Sequence, residues 1–369
     1  MAKRLLILNG LAISGVVLNH ASSWVFIAMF WWTDQYLSVT VPNFDQMGSF
    51  QYYFLRLIEQ LVAFSVPSFL FVSGFFIAFV AGKSPITERW KIARMRIITL
   101  FIPYLIWSLL IIASELVLGE NLTPLDILKM LVFGKASEPY YFVPLLIQLY
   151  LLSPCILSLA KKQWKLLIIS AFLIQIFIQG IRYLELIGVE SPAVDLFIQL
   201  TPSWLFVTKM FWFIFGVVIY LHLHQFVSGL DRFKVYLLGS WVALLFLGIF
   251  EWEALLRLSG KEWIPYYDTS LDTLYACSFI LCYLAYSNIS IPFAKDIGKV
   301  GGKSYGIYLI HSIFILYTAR LIYHLAPGLL AYPLILFAIL TVIGLGMPLL
   351  LMMITERTPL RRWYSYLYG

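Results

Sequence analysis

Residues 64–81 read FSVPSFLFVSGFFIAFVA, eighteen positions without one charged side chain. As a helix rising 1.5 Å per residue, the stretch is about 27 Å long, close to the roughly 30 Å of hydrocarbon in a bilayer. Comparable runs recur at roughly 5–31, 54–81, 97–118, 140–160, 166–186, 204–224, 235–255, 270–289, 304–324 and 332–354. The 369-residue chain is 61% hydrophobic and only 12% charged, whereas soluble domains carry about 25% charged residues. Its mean hydropathy is +0.87. The pattern predicts an all-α, polytopic transmembrane helical bundle of about ten spans, with residues 1–369 forming a single integral-membrane domain.

Charge placement then predicts orientation. Ten spans put both ends on one side, so alternate loops can be compared for Lys and Arg. The termini and the loops near 82–96, 161–165, 225–234 and 290–303 hold 18 of the 26 basic residues. Of the 19 acids they hold only Glu88, Asp231, Asp296 and Glu356. Both termini are therefore expected in the cytoplasm, in a bacterial inner (plasma) membrane. The net charge of +7 is accounted for by topology and by anionic membrane lipids, and calls for no nucleic acid.

The opening Met1-Ala2-Lys3-Arg4 resembles the start of a signal peptide. The apolar run continues to Trp31-Trp32 without a persuasive small-x-small site, so it reads as a retained first helix. Cys155, Cys277 and Cys282 form no CxxC pair and read as packing residues. The longer polar stretches at 33–52, 119–139, 187–203 and 256–269 fall on the outer face. Tyr140-Tyr141 and Tyr266-Tyr267 are expected in the interfacial aromatic belts. No internal repeat is visible, which weighs against an inverted-repeat transporter.

Polar groups within a membrane span are costly and mark candidate sites. The first span carries Asn9, Ser14, Asn19, His20, Ser22 and Ser23. At 100° per residue, Asn9 and His20 fall on nearly the same face, eleven residues apart, together with Ile13 and Val16. Leu11 and Leu18 lie away from it. This stripe is expected to face the bundle interior or a wet cavity. On periodicity alone two readings of His20 stay open. It is either a buried imidazole bonded to another helix, or a general base, since imidazole titrates near neutrality.

Several stretches carry a family likeness. LNGLAISGVVLNHASSW (8–24), FSVPSFLFVSGFFIAF (64–79), RMRIITLFIPYLIW (94–107) and VGGKSYGIYLIHSIF (300–314) resemble the integral-membrane acyltransferase family 3 in motif, order and spacing. YFVPLLIQLYLLSPCI (141–156) and MFWFIFGVVIY (210–220) agree more loosely. The resemblance implies transfer of an acyl group, usually acetyl, from acyl-CoA (acetyl-CoA) to a hydroxyl of a sugar, glycan or lipid-linked acceptor. It implies that His20 is the catalytic base. No bound cofactor or metal is expected; acyl-CoA is a co-substrate.

Two departures stand out. The arginine that the family places eleven residues before the histidine is Asn9 here, and Leu6 replaces an accompanying Asp. In the third helix the usual pair of basic residues three apart is displaced: Lys91 and Arg94 keep that spacing, but Arg96 is followed by Thr99. Lys3 and Arg4 sit too near the helix start to replace the missing arginine without snorkelling.

The group Arg89, Lys91, Arg94 and Arg96 has two uses, topology and docking of acyl-CoA phosphates, to which guanidinium forks are suited. The resemblance favours the second, with Lys91, Arg94 and Arg96 as phosphate ligands. Asn9, Asn19, His311 and Tyr308 are candidate orienting or lining groups; His311 reads equally as a packing residue. His222 and His224, two apart, point in different directions and lack a third metal ligand. His324 reads as interfacial. Ser73-Gly74 is no nucleophile elbow and reads as close helix packing. Glu59, Glu115 and Asp272 read as acceptor-side or structural groups. Asn121-Leu122-Thr123 matches a glycosylation triplet, a pattern frequent by chance. His20 lies sixteen residues beyond Arg4, about 24 Å along a helix, and so nearer the outer surface. Two rival functions remain: an exporter or flippase of a polysaccharide or lipid-linked intermediate on the same scaffold, and a proton-coupled transporter.

Overall fold

A computed structural model describes residues 2–265 and 268–369, and every regular element among them is helical. In chain order the α-helices are α1 (Ala2–Trp31), α2 (Phe50–Val62), α3 (Ser65–Ala81), α4 (Ile86–Val117), α5 (Pro124–Phe133), α6 (Phe142–Leu186) and α7 (Pro192–Leu200). They continue as α8 (Met210–Leu221), α9 (Leu223–Ser259), α10 (Ser270–Ala285), α11 (Ala294–Gly302), α12 (Ser304–Leu325), α13 (Pro333–Arg357) and α14 (Tyr364–Tyr368).

Seven stretches are long and apolar enough to cross a membrane: α1, α2 with α3, α4, α6, α9, α12 and α13. Helix α6 leaves helical geometry at Gln163, among Lys161, Lys162 and Lys165, and so consists of two helical stretches joined at a kink. Helices α8 and α10 are apolar but shorter. Seven candidate spans thus stand where about ten were expected. One of them is broken: α2 stops at Val62 and α3 restarts at Ser65. The Ser65 hydroxyl donates to the Val62 carbonyl (2.7 Å), and Pro67 occupies the first turn of α3, where its missing N–H costs least. Helix α4 begins eleven residues before the expected 97, because its basic first turns stay helical beyond the apolar stretch.

Helix α1 runs through the centre, packed against α2, α3, α11, α12 and α13. Lipid tails offer helices no hydrophobic reason to associate, so close backbone approach has to supply the attraction. Glycine pairs allow it here. A Cβ on Gly74 would lie 1.9 Å from the Phe213 carbonyl oxygen, and one on Gly216 would lie 1.9 Å from that of Phe71, so α3 and α8 touch backbone to backbone. Gly10 and Gly301 do the same for α1 and α11. Arg4 fastens the same end: its guanidinium donates to the carbonyls of Ser287 (2.6 Å), Tyr286 (2.7 Å) and Ile289 (2.9 Å), closing the C-terminal end of α10. Helix α9 is peripheral and presents Tyr236, Phe246 and Phe250 outward.

The aromatic-belt expectation is corrected at Tyr140-Tyr141. Tyr140 is fully buried, with its hydroxyl donating to the Leu309 carbonyl (2.5 Å), and Tyr141 lines an internal cavity. A buried phenol needs an acceptor, and α12 provides one. Tyr266 and Tyr267 lie outside the described residues, as does the His224 side chain.

Candidate active site

Three cavities, each sharing wall residues with the next, lie between the basic end of α4 and its opposite end. The inner one, about 360 Å³, is walled by Asn9, Ser73, Arg96, Tyr150, Ser304 and Tyr305 among others. The central one, about 310 Å³, lies beside the α2–α3 break and is bounded by Val16, Asn19, Ser65, Arg182, Lys209 and Asp268. The far one, about 640 Å³, is lined by Trp24, Trp107, Glu115, Glu120, Tyr317 and Arg320, at the end of α4 remote from its basic start. Neighbouring cavities share walls. Phe69, Phe142 and Tyr308 belong to both the inner and central cavities. His20, Glu138 and Pro139 belong to both the central and far ones.

His20 therefore stands where two cavities meet. Its Nδ1 lies 4.0 Å from a Glu138 carboxylate oxygen, within ion-pair range and beyond hydrogen-bond range. A small inward movement of the carboxylate would let it accept a hydrogen bond from Nδ1–H, leaving the lone pair on Nε2. The His311 ring lies 5.3 Å from that of His20, centroid to centroid. His311 is fully buried, and its Nδ1 faces the carbonyls of Tyr308 (2.7 Å) and Ile307 (3.2 Å). Carbonyls only accept, so Nδ1 carries the hydrogen and Nε2 keeps a lone pair. That Nε2 is buried and finds no hydrogen-bond partner among the described residues.

Glu138 begins a 3₁₀ turn, Glu138–Tyr141, that leads into α6. Three hydrogen bonds lace this turn to α12. Ser137 and Ser312 share a hydroxyl–hydroxyl bond (3.0 Å), the Tyr308 hydroxyl donates to the Pro139 carbonyl, and the Tyr140 hydroxyl donates to the Leu309 carbonyl. The helix that carries His311 thus also fixes the backbone under Glu138.

The other predicted residues are distributed unevenly. Asn9 lines the inner cavity, and its amide oxygen is buried without a hydrogen-bond partner among the described residues. Asn19 lines the central cavity. Ser14 and Ser23 bond back to their own helix, at Gly10 and Asn19. Of the four basic residues at the start of α4, Arg96 alone lines a described cavity. Lys91 pairs with Glu88 (2.8 Å) on the surface and Arg94 is exposed. Arg89 is buried, donating to the Ser84 carbonyl (2.9 Å) and the Ser158 hydroxyl (3.0 Å), where it pins α4 to α6.

Glu115 borders the far cavity. Glu59 is held in a buried pair with Arg56, whose guanidinium lies 3.5 Å over the Trp252 ring. Asp272 caps α10 with Thr269 and accepts from Gln60 (2.8 Å). His222 packs on Trp164 and His324 on Tyr323. Thr123 of the glycosylation triplet instead caps α5, with Asp126 returning the bond.

Sequence reasoning named Tyr308 but missed Glu138, the Phe69 and Phe142 that join Tyr308 between the cavities, and the central cavity's Lys209–Asp268 ion pair. For Glu138 a signal existed: it is an acid directly before a helix-starting proline, at the same end of the bundle toward which His20 lies. For the others no local signal exists, since each becomes a wall only through packing.

Comparisons with curated proteins and with solved structures find no match. A scan of protein families gives a different result: an acyltransferase domain, that of acyltransferase family 3, matches residues 5–352. The match takes in α1 through nearly all of α13, and with them every residue bordering the three cavities; the chain belongs to acyltransferase family 3 and is an integral-membrane acyltransferase.

Proposed function

We propose that the protein transfers a short acyl group, acetyl in the simplest case, from acyl-CoA to a hydroxyl of a sugar, glycan or lipid-linked acceptor, with His20 as general base. The observation that carries this reading is the position of His20, in the wall common to two cavities, with a carboxylate on one side. Acyl-CoA docks at the basic end, taken to be cytoplasmic in a bacterial inner membrane with both chain termini on that side. Its phosphates lie near Arg96, with Lys91 and Arg94 adding surface charge, and its uncharged arm extends through the inner cavity toward Tyr308. The acceptor occupies the far cavity.

In the reaction, His20 Nε2 takes the hydroxyl proton as the oxygen attacks the thioester carbonyl. The tetrahedral intermediate collapses, the C–S bond breaks, and the imidazolium returns its proton to the departing thiolate. The products are an ester and free CoA thiol, and the base is regenerated. Glu138 stabilises the imidazolium during the cycle, while Asn19 and His311 orient the ring.

The test is cleavage of labelled acetyl-CoA by purified protein in detergent, with and without a hydroxyl acceptor. General bases contribute about 10²–10⁴-fold in rate. His20→Ala should lose turnover on that scale while keeping its elution profile. Undiminished transfer by that variant would end the proposal, and translocation of an unmodified substrate would replace it with an exporter.

A further inference from the structure

We propose that Tyr308 is a positioning residue with two separable jobs: its hydroxyl holds the Glu138 turn beside His20, and its ring closes the passage between the inner and central cavities. This rests on the acyl-transfer reading above.

The first job follows from how Glu138 is held. Its side chain is 85% exposed and makes no hydrogen bond among the described residues. A free carboxylate at the surface of a cavity samples several rotamers, and ordering it costs entropy. Its position beside His20 must then come from the backbone. That turn is held by the bonds to α12, of which the bond from Tyr308 to the Pro139 carbonyl is the one made to the turn's own backbone, the others using the Ser137 and Tyr140 side chains. Pro139 has a fixed φ and no N–H, so its carbonyl is the only polar backbone group it offers.

The second job follows from where the ring sits. Tyr308 is 6% exposed and lies 5.6 Å from Phe142 and 6.1 Å from Tyr305, centroid to centroid. With Phe69 and Phe142 it forms the surface common to the inner and central cavities. An arm that extends from Arg96 toward His20 must pass this ring. Ring and hydroxyl therefore act on different steps, the ring on donor entry and the hydroxyl on the base.

The experiment uses the full-length protein in detergent, with acetyl-CoA as donor and methyl glucoside at high concentration as the hydroxyl probe. Tyr308→Phe keeps the ring and removes the bond. It should lower kcat about tenfold, the scale of one net hydrogen bond, with KM for acetyl-CoA unchanged. In a double-mutant cycle, Tyr308→Phe added to Glu138→Gln should cost nothing further, because both act through one carboxylate. Tyr308→Ala should also alter KM for acetyl-CoA. Tyr140→Phe, whose phenol borders none of the three cavities, should lower kcat alone.

Additive losses from Tyr308→Phe and Glu138→Gln would overturn the first job. An unchanged KM in a folded Tyr308→Ala protein would overturn the second. Thermal melting of each variant separates these outcomes from misfolding. Wild-type protein that cleaves no acetyl-CoA would remove the acyl-transfer reading itself. Losses in His20→Ala and Glu138→Gln with an additive Tyr308→Phe would sink only this inference.

Discussion

Replacing Arg96 by Gln should raise KM for acetyl-CoA, and the same change at Lys91 or Arg94 should not. All three lie within six residues on α4, yet they project differently. Arg89 and Arg96 are seven apart and share a face, whereas Lys91 and Arg94 are turned away from it by two and five residues at 100° each. The face of Arg89 is buried against α6, and the continuation of that face through Arg96 and Leu100 borders the inner cavity. A charge-assisted bond to phosphate is worth roughly 1.5–3 kcal/mol when shielded from water. The Arg96 side chain is exposed to solvent, so screening cuts this to about 1–2 kcal/mol. At 1.4 kcal/mol per tenfold, KM should rise about five- to thirty-fold with kcat nearly unchanged. The assay is initial-rate cleavage of acetyl-CoA by the detergent-purified variants across a range of salt. The wild-type KM should rise with ionic strength and that of Arg96→Gln much less. Arg96→Lys should recover part of the loss, since it keeps charge without the planar fork. Equal effects at Lys91 and Arg96, or none at Arg96, would refute the reasoning that cavity placement rather than surface charge selects the donor ligand.

Other outcomes are tied to packing. Gly216→Leu forces a side chain against the Phe71 backbone oxygen and should cost about 1–3 kcal/mol by overpacking, read as a lower melting temperature in detergent. Gly346→Leu, with nothing within 4 Å of its Cβ position, should be neutral. Arg4→Gln removes the cap on the carbonyls of Tyr286, Ser287 and Ile289. It should speed amide hydrogen exchange over residues 283–289 while leaving α13 protected.

The spans were legible because lipid leaves the backbone no alternative to helix, so apolar length alone nearly determines each crossing. What the sequence concealed was how a span is interrupted. Residues 54–81 look like one uniform segment, and the break at Ala63–Phe64 appears only once Ser65 is seen bonding to Val62. Asn9 and His20, which helical periodicity places on one face, border different cavities, the inner and the central one. The same wheel applied to α4 would have separated Arg96 from Lys91 and Arg94, which the sequence reading grouped together as phosphate ligands. For Glu138 the local signal, an acid directly before a helix-starting proline, marks a turn but not its partner. Its proximity to His20 depends on hydrogen bonds between residues 169 and 175 positions apart in the chain, and no local pattern encodes such pairing.

The adjoining cavities also bear on the missing family arginine. Arg4 is committed to the end of α10 and cannot turn into the bundle without uncapping it. Among the described residues the inner cavity has one cationic wall residue, Arg96, facing Asn9 territory that supplies only an amide. Charged phosphates are expensive to carry into the hydrocarbon region, so a donor held from one side must keep them at the basic end. Only its uncharged arm can then travel the eleven-residue rise, about 16 Å, from the level of Asn9 to that of His20. On the proposed reaction, the acyl group thus reaches the far cavity while the nucleotide stays behind, and a single imidazole in a shared wall is enough to join substrates that approach from opposite ends.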